Sequence, residues 1–439
     1  MPESPTVTVI GGGLAGSEAA WQIARQGLCV DLFEMRPVMQ TPAHTTTRLA
    51  ELVCSNSFKA DSIDTATGLL KQELRQCGSL LIRIADNTRV PAGGALAVDR
   101  DRFAARVTEA IEGESRIRMV RQEVTELPGS GTVIVAAGPL ISDSLARSVA
   151  RLTGKRHLYF YDAISPIVEH DSILMRRAFR ASRYGKGGDD YINCPLTEAQ
   201  YDYFHQALLA SETYPLHEFE QRLFFEGCLP IEEMARRGRN TLLFGPMKPV
   251  GLTDPRTAKR PFAVVQLRQD NLAANHFSLV GFQTQMRRRA QERVLRLIPA
   301  LERAVFARYG QVHRNSYINS PALLAPTLQM RSRPDLLFAG QIAGVEGYVE
   351  SVATGLLAGL NAARLVRGQP PMVFPRTTAL GSLLQYISQA DPRDYQPSNI
   401  TFGLLPPPAS RTPRRLRHRA VTKRALDDLE RWRSDADLH

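Results

Sequence analysis

The apolar positions of the chain come in short runs bounded by glycine and proline, and the period of the runs changes along the sequence. Val7-Thr8-Val9-Ile10 has the length and β-branched content of a buried strand. After the glycines that follow, Ser17-Glu18-Ala19-Ala20-Trp21-Gln22-Ile23-Ala24 reads as a helix. Past Gly27, Val30-Asp31-Leu32-Phe33 predicts a second strand ending at Glu34. Thr132–Val135 predicts a further strand, closed by the small-residue turn Ala136-Ala137-Gly138-Pro139. Leu336-Leu337-Phe338 predicts another, with a helix of small residues over Leu356–Leu365 behind it.

The stretch between has another character. Tyr184–Asp190 is a loop rich in glycine and charge. Helices are expected over Glu198–Ala210 and Leu216–Phe225, and strands around Leu242–Phe244 and Ala263–Leu267. Val294, Leu295, Leu297, Ile298, Leu301 and Val305 recur near helical spacing, which predicts an amphipathic helix within Arg289–Arg308 with a basic exposed face. Pro406-Pro407-Pro408 separates a basic tail, partly helical over Val421–Trp432. The pattern divides the chain into an α/β part at 1–184, an inserted α+β domain at 185–326, a returning α/β part at 327–408 and a tail at 409–439.

Both α/β parts carry glycine turns where a strand meets a helix. In Gly11-x-Gly13-x-x-Gly16 the first glycine makes the tight turn, the second lets backbone approach a pyrophosphate, and the third lets helix pack on strand. Gly12, Leu14 and Ala15 complete a segment whose helix N-terminus presents N–H groups to phosphate. Glu34, about twenty positions on, is placed for ribose hydroxyls. The second turn runs Gly340-Gln341-Ile342-Ala343-Gly344-Val345-Glu346-Gly347-Tyr348, where glycines let a helix N-terminus approach the isoalloxazine and ribityl regions of a flavin. Together with the Ala136–Pro139 turn, this favours FAD over NAD. The expected fold is α/β, a Rossmann-like FAD-binding domain of the glutathione-reductase-like flavoprotein type that closes around the insertion. Gln341 stands where flavoproteins typically carry an acidic residue, and its amide still suits the ribityl hydroxyls. No second Gly-x-Gly-x-x-Gly sits in a βαβ frame, so a tightly held NAD domain is not expected.

A chain of 439 residues buries a large core, and its 43% apolar content is ordinary. No apolar leader precedes the first strand and no run is long enough to cross a bilayer, so the expectation is a soluble, cytoplasmic protein with no membrane partner. Five cysteines (Cys29, Cys54, Cys77, Cys194, Cys228), odd in number and without C-x-x-C spacing, argue against a disulfide framework and a zinc site, so no metal is expected. The net charge of +11 is uneven. One run begins at Arg287-Arg288-Arg289 and continues through Arg293, Arg296, Arg303, Arg308 and Arg314. The tail adds Arg411, Arg414, Arg415, Arg417, Arg419, Lys423 and Arg424. Either cluster alone is a solvated face; together they suit a large polyanion.

Longer strings then accumulate beyond a generic flavoprotein: Leu32–Pro37 (LFEMRP), Leu52–Lys59 (LVCSNSFK), Val90–Asp99 (VPAGGALAVD), Gly187–Pro195 (GGDDYINCP), Phe225–Met234 (FEGCLPIEEM), Phe244–Leu252 (FGPMKPVGL), Leu279–Thr284 (LVGFQT), His313-Arg314-Asn315, Gly340–Glu350 (GQIAGVEGYVE) and Phe402–Pro407 (FGLLPP). Over almost its whole length the chain resembles the folate- and FAD-dependent tRNA (uracil-5-)-methyltransferases, the TrmFO family. The glycine segments are shared with a longer relative, the MnmG/GidA flavoprotein that modifies the tRNA wobble uridine; the cysteine-bearing strings are not. The resemblance implies transfer of a one-carbon unit from 5,10-methylenetetrahydrofolate to C5 of the T-loop uridine in the tRNA T-arm, with reduced FAD as electron source and NADH or NADPH upstream. The same chemistry on a ribosomal RNA uridine stays open, since no base-reading code is legible.

The resemblance also implies roles. Uracil C5 is a poor nucleophile until something adds at C6, and a thiolate suits that addition. Cys228, in a turn-like setting before Leu229-Pro230, is assigned to C6, and Cys54, followed by Ser55-Asn56-Ser57, to a place near the flavin. From residue type alone each reads equally as a small buried hydrophobe. Tyr348 and Glu346 either position folate and relay a proton or simply pack at the isoalloxazine rim. Lys248 either meets a phosphate or the folate glutamate tail or is solvated; Arg287 and Arg288 belong to the basic run; His313 and Arg314 fall in the substrate pocket by resemblance alone. A flavin-bound RNA chaperone would need neither thiol, and a small-molecule FAD oxidoreductase would need no arginine clusters.

Overall fold

A computed structural model of the protein describes residues 6–41, 43–154, 158–214, 229–408 and 412–435. The strand Thr6–Ile10, with Val7, Val9 and Ile10 buried, lies parallel to Cys29–Phe33 on one side and Val133–Val135 on the other. Ile117–Val120 extends the sheet beyond Cys29–Phe33. Arg333–Phe338 pairs parallel with Val133–Val135, and Gln329–Met330 closes that edge antiparallel. The two glycine segments therefore leave neighbouring parts of one sheet.

Their helices, Leu14–Arg25 and Tyr348–Val366, pack directly on each other. A Cβ on Gly355 would stand 2.3 Å from the Ala15 carbonyl oxygen, and one on Gly359 2.6 Å from that of Ala19. Backbone meets backbone here, and any side chain would force the helices apart. Two buried carboxylates join helices around this pair, Glu18 from Leu14–Arg25 and Glu73 from the helix Ala66–Gln76. Glu18 accepts from Ser79 Oγ and from the Leu80 and Leu81 N–H groups at the start of Leu80–Asn87. Glu73 accepts from Ala379 and Leu380 N–H, both at 2.8 Å, at the start of Ala379–Gln389. N–H groups left over at helix starts find acceptors in another helix.

The insertion is a second, antiparallel sheet in the order Phe179–Arg180, Tyr191–Leu196, Ala263–Gln269, His276–Leu279, Ile167–Glu169, Phe306–Arg308. Every residue of Ala263–Gln269 is buried. Alternation sends Ala263, Val265 and Leu267 into a core closed by the helices Glu198–Leu209, Ile231–Arg236 and Arg288–Leu295, while Arg268 faces the other way. The chain enters and leaves this sheet through a ribbon of Leu158–Ala163 and Val312–Tyr317.

Several elements differ from the sequence expectation. The expected boundary at residue 185 falls inside the second sheet, because Ile167–Glu169 and Phe179–Arg180 are too short to show a period. Thr241–Phe244 is a short helix, not a strand; four residues carry no readable alternation. The helix expected as far as Arg308 stops at Leu295; Pro299 opens a separate helical turn and Phe306–Arg308 is a strand. Leu216–Phe225 lies outside the described residues. The tail helix Arg417–Asp435 docks on the first domain, with Val421, Ala425 and Leu429 in its core and Trp432 against Phe374 at 4.4 Å between ring centroids.

That docking makes the tail part of the cooperative unit. Leu429→Ala should cost about 2–4 kcal/mol in urea unfolding followed by circular dichroism, since Leu429 is fully buried. A loss below about 0.5 kcal/mol would show that the helix rides on the surface.

Candidate functional site

Between the first sheet and the insertion lies a cavity of about 410 Å³. Gly11, Gly13, Leu14, Ala15 and Glu34 line it at one end, and Cys54, Ser55, Lys59, Arg268 and Tyr348 at the other; Gly340, Gln341, Glu346 and Gly347 border it too. The glycines divide in role. A Cβ on Gly16 would meet the Gly11 carbonyl oxygen at 1.8 Å, so Gly16 is required by packing. A Cβ on Gly13 meets no protein atom within 4 Å, so it would project into the cavity. Gly12 does not line the cavity; its N–H donates to Glu34 Oε2 at 3.0 Å.

Glu34 is buried, and burial opposes its charge. The Arg36 guanidinium, bonded to Oε1 at 2.9 Å, and the Arg36 and Gly12 N–H groups outweigh this and hold the carboxyl below its usual range. Arg36 also pairs with Glu51 at 3.1 Å. Beside them, burial and the Arg36 charge push His44 down to about 4, so its imidazole is neutral at physiological pH.

At the other end, the Tyr348 hydroxyl accepts from the Cys54 N–H at 2.9 Å and the Ser55 N–H at 3.0 Å. Burial, with the Cys54 sulfur next to it, pushes the phenol well above its usual range, so it stays protonated. Tyr348 thus supports the segment that carries Cys54, a contact that neither sequence expectation contained. Gln341 Nε2 donates to Glu346 Oε2 at 2.5 Å, joining two expected cofactor residues.

Other expected site residues do not join the cavity. Cys228 lies outside the described residues; the chain resumes at Leu229, and the Ile231 N–H donates to the carbonyl of Gln283, which lines the cavity. Lys248 is half-buried on the insertion and away from the lining. His313 and Arg314 lie on the ribbon strand, and their neighbour Asn315 lines the cavity. Arg287, Arg288 and Arg289 are exposed at the start of an amphipathic helix, with Arg288 over the Tyr309 ring at 5.5 Å. Arg308, expected in the same exposed run, instead turns inward and donates to the Ala43 carbonyl at 3.2 Å. Sequence reasoning missed Arg36, Arg100 and Arg268. Arg268 had a signal, a lone cation in the apolar run Ala263–Leu267 and its continuation.

Among the described residues no cluster of histidine, cysteine, aspartate or glutamate could hold a metal, and no helix is long and apolar enough to cross a membrane. The two glycines give a direct test of the geometry. With all proteins stripped of cofactor, Gly16→Ala should lower the thermal midpoint by about 5 °C or more, whereas Gly13→Leu should leave it within about 2 °C. Equal losses in scanning calorimetry would show that Gly13 also faces protein.

The sequence pattern of the family described as "Glucose inhibited division protein A" matches residues 6–370. A protein of Pelotomaculum thermopropionicum named methylenetetrahydrofolate--tRNA-(uracil-5-)-methyltransferase TrmFO is 57% identical over 429 residues, covering 98% of each chain. One of Solibacter usitatus with the same name is 58% identical over 440 aligned positions, covering 98% of this chain and 99% of the relative. Among solved structures, GidA of Aquifex aeolicus superposes with a TM-score of 0.70 at 17% identity, covering 97% of this chain and 76% of that one, which supports the flavoprotein fold. With identity above half over nearly the full length of both chains, the protein belongs to the TrmFO family within the wider GidA group.

Proposed function

We propose that this protein transfers a one-carbon unit from 5,10-methylenetetrahydrofolate to C5 of the T-loop uridine of tRNA, in the cytoplasm, with FAD as resident cofactor and NADH or NADPH as electron donor. The observation that carries the reading is one cavity with a dinucleotide-type glycine turn and an ionised carboxylate at one end and a half-buried thiol at the other. The residues fit the flavin: the space at Gly13 admits a pyrophosphate, the N-terminus of Leu14–Arg25 faces it, and Glu34 is kept charged to accept ribose hydroxyls. When bound, FAD supplies the electron pair that completes the methyl group.

The chain's own part is binding, proton handling and nucleophilic addition. The Cys228 thiolate adds to uracil C6 and moves electron density to C5, which bonds the donated methylene. Its bonds to tetrahydrofolate break and the C5 proton is lost, an electron pair that reduced flavin would supply completes the methyl group, and cleavage of the C–S bond returns the thiolate and restores the C5–C6 double bond. Cys54, held by Tyr348, serves beside the flavin as auxiliary thiol or proton carrier. The insertion, with Arg287 and Arg288 exposed, offers the RNA platform, and Lys248 suits the folate carboxylates.

Total tRNA from a deletion strain should lack T-loop ribothymidine by mass spectrometry, and the wild-type gene should restore it. Cys228→Ala and Cys54→Ala should each hold FAD yet fail to restore it. Intact ribothymidine in tRNA with a methyl group missing from ribosomal RNA would move the substrate to that RNA. Loss of FAD from Gly13→Leu protein that melts normally would tie the cofactor to this cavity.

The basic run gives an independent test. Converting Arg287, Arg288 and Arg289 to alanine should weaken tRNA binding and lower the slope of log affinity against log salt by about 2–3, because counterions are released for each phosphate met. FAD content should be unchanged. Identical slopes for wild type and variant would make this run a solvated face and leave the tail as the platform.

A further inference from the structure

The segment Leu52–Asn56, which carries Cys54, is held by arginines from two different domains. Arg100, at the start of the helix Arg100–Glu112, donates to the Leu52 carbonyl at 3.0 Å and the Val53 carbonyl at 3.5 Å. Arg268, from the central strand of the insertion, donates through Nη2 to Ser55 Oγ and through Nε to Asn56 Oδ1, both at 2.8 Å. Arg100 pairs with Asp270 at 3.1 Å, but its Nη2 is buried without a hydrogen-bond partner. Arg268 is only 8% exposed, its hydrogen-bond partners are neutral, and it forms no ion pair among the described residues. A third arginine, Arg308, on the last strand of the insertion, donates to the Ala43 carbonyl and lies within charge range of Arg100, Tyr348, Asp270 and Glu51.

Buried cations short of counter-charge are costly, and an anion placed among them is correspondingly favoured. Cys54 is the ionisable side chain on the segment that both arginines grip, and it shares the cavity wall with Arg268. We propose that Arg268, assisted by Arg100, is a positioning residue for Cys54: it fixes the Ser55 and Asn56 side chains from the insertion and supplies the counter-charge for the Cys54 thiolate. The proposal rests on the reading of Cys54 as a reactive thiol. Because Arg268 belongs to one domain and Cys54 to the other, the sulfur is activated only while the two are docked.

The test is the pH profile of Cys54 alkylation by iodoacetamide in the FAD-loaded protein, read by mass spectrometry of the Cys54 peptide. It needs neither RNA nor folate, so it remains readable whatever the methylation assay shows. The charged and titratable groups facing the segment are Arg100, Arg268, Arg308, Asp270 and Tyr348, with Glu51 on the segment's own flank. Only changes among these should move the midpoint. Arg268→Met should raise the alkylation midpoint by about one pH unit, making the reaction about tenfold slower below it. Arg268→Lys, which keeps the charge, should restore most of the shift, both profiles being read on protein reconstituted with FAD.

A wild-type profile in Arg268→Met overturns the proposal. Should that variant not retain FAD, Asp270→Asn reads the same field in the opposite sense. Removing the carboxylate paired with Arg100 should lower the midpoint, and an unchanged or raised midpoint there overturns the proposal equally.

Discussion

The architecture depends on the contact between the helices Leu14–Arg25 and Tyr348–Val366. Gly355 and Gly359 leave no room for a Cβ against the Ala15 and Ala19 carbonyls, so the two helices lie at backbone contact. Close packing of this kind tolerates no added methyl group. It fixes segments more than 300 residues apart in sequence on one sheet. Everything between them must leave and return, and it does so through the paired strands Leu158–Ala163 and Val312–Tyr317. An insertion held by an antiparallel ribbon has a defined orientation, and the cavity forms where it faces the parent sheet.

Around that contact the first domain uses carboxylates as long-range caps, and their surroundings set their charge. Glu18 and Glu73 each receive backbone N–H groups from another helix, but neither has a cation beside it. Burial raises both, Glu73 to about 8. Glu34 receives the Gly12 N–H as well, yet Arg36 keeps it ionised. The same residue type therefore gives two structural joints and one charged acceptor at the cavity. The acceptor is the one whose negative charge suits a hydroxyl-bearing ligand.

Much of this was legible in the chain. Strand–glycine–helix frames at both ends gave the parent sheet, because period and turn chemistry agree there. The amphipathic helix after Arg287 was visible from Val294 and Leu295, though its end was not; Pro299 was the stop signal. The short strands Ile167–Glu169 and Phe179–Arg180 had no period to read, since pairing partners, not local pattern, make them strands. Tail docking was hidden for a related reason: Val421, Ala425 and Leu429 mark a helix face, but nothing in sequence says which surface covers it. At the site, Cys54 and Tyr348 were legible as residues, whereas their contact across 294 positions was not. Cys228 remains a sequence assignment.

Buried charge is paired unevenly around the cavity. At the dinucleotide end, one guanidinium, Arg36, is shared by two carboxylates, Glu34 and Glu51, and His44 contributes no charge near neutral pH. Near the thiol, Arg100 pairs with Asp270, Arg268 bonds only neutral groups, and Arg308 lies within charge range of both Asp270 and Glu51. Cation and carboxylate are thus matched around Glu34, whereas Arg268 is without an ion pair among the described residues, within low-dielectric walls where such differences are weakly screened. On the proposed reading of the site, a ligand with hydroxyl groups near Glu34 would meet an acceptor there, and negative charge near Arg268 would meet a cation. Arg100 comes from the first domain and Arg268 from the insertion, so the charge around the segment that carries Cys54 is a property of the docked pair.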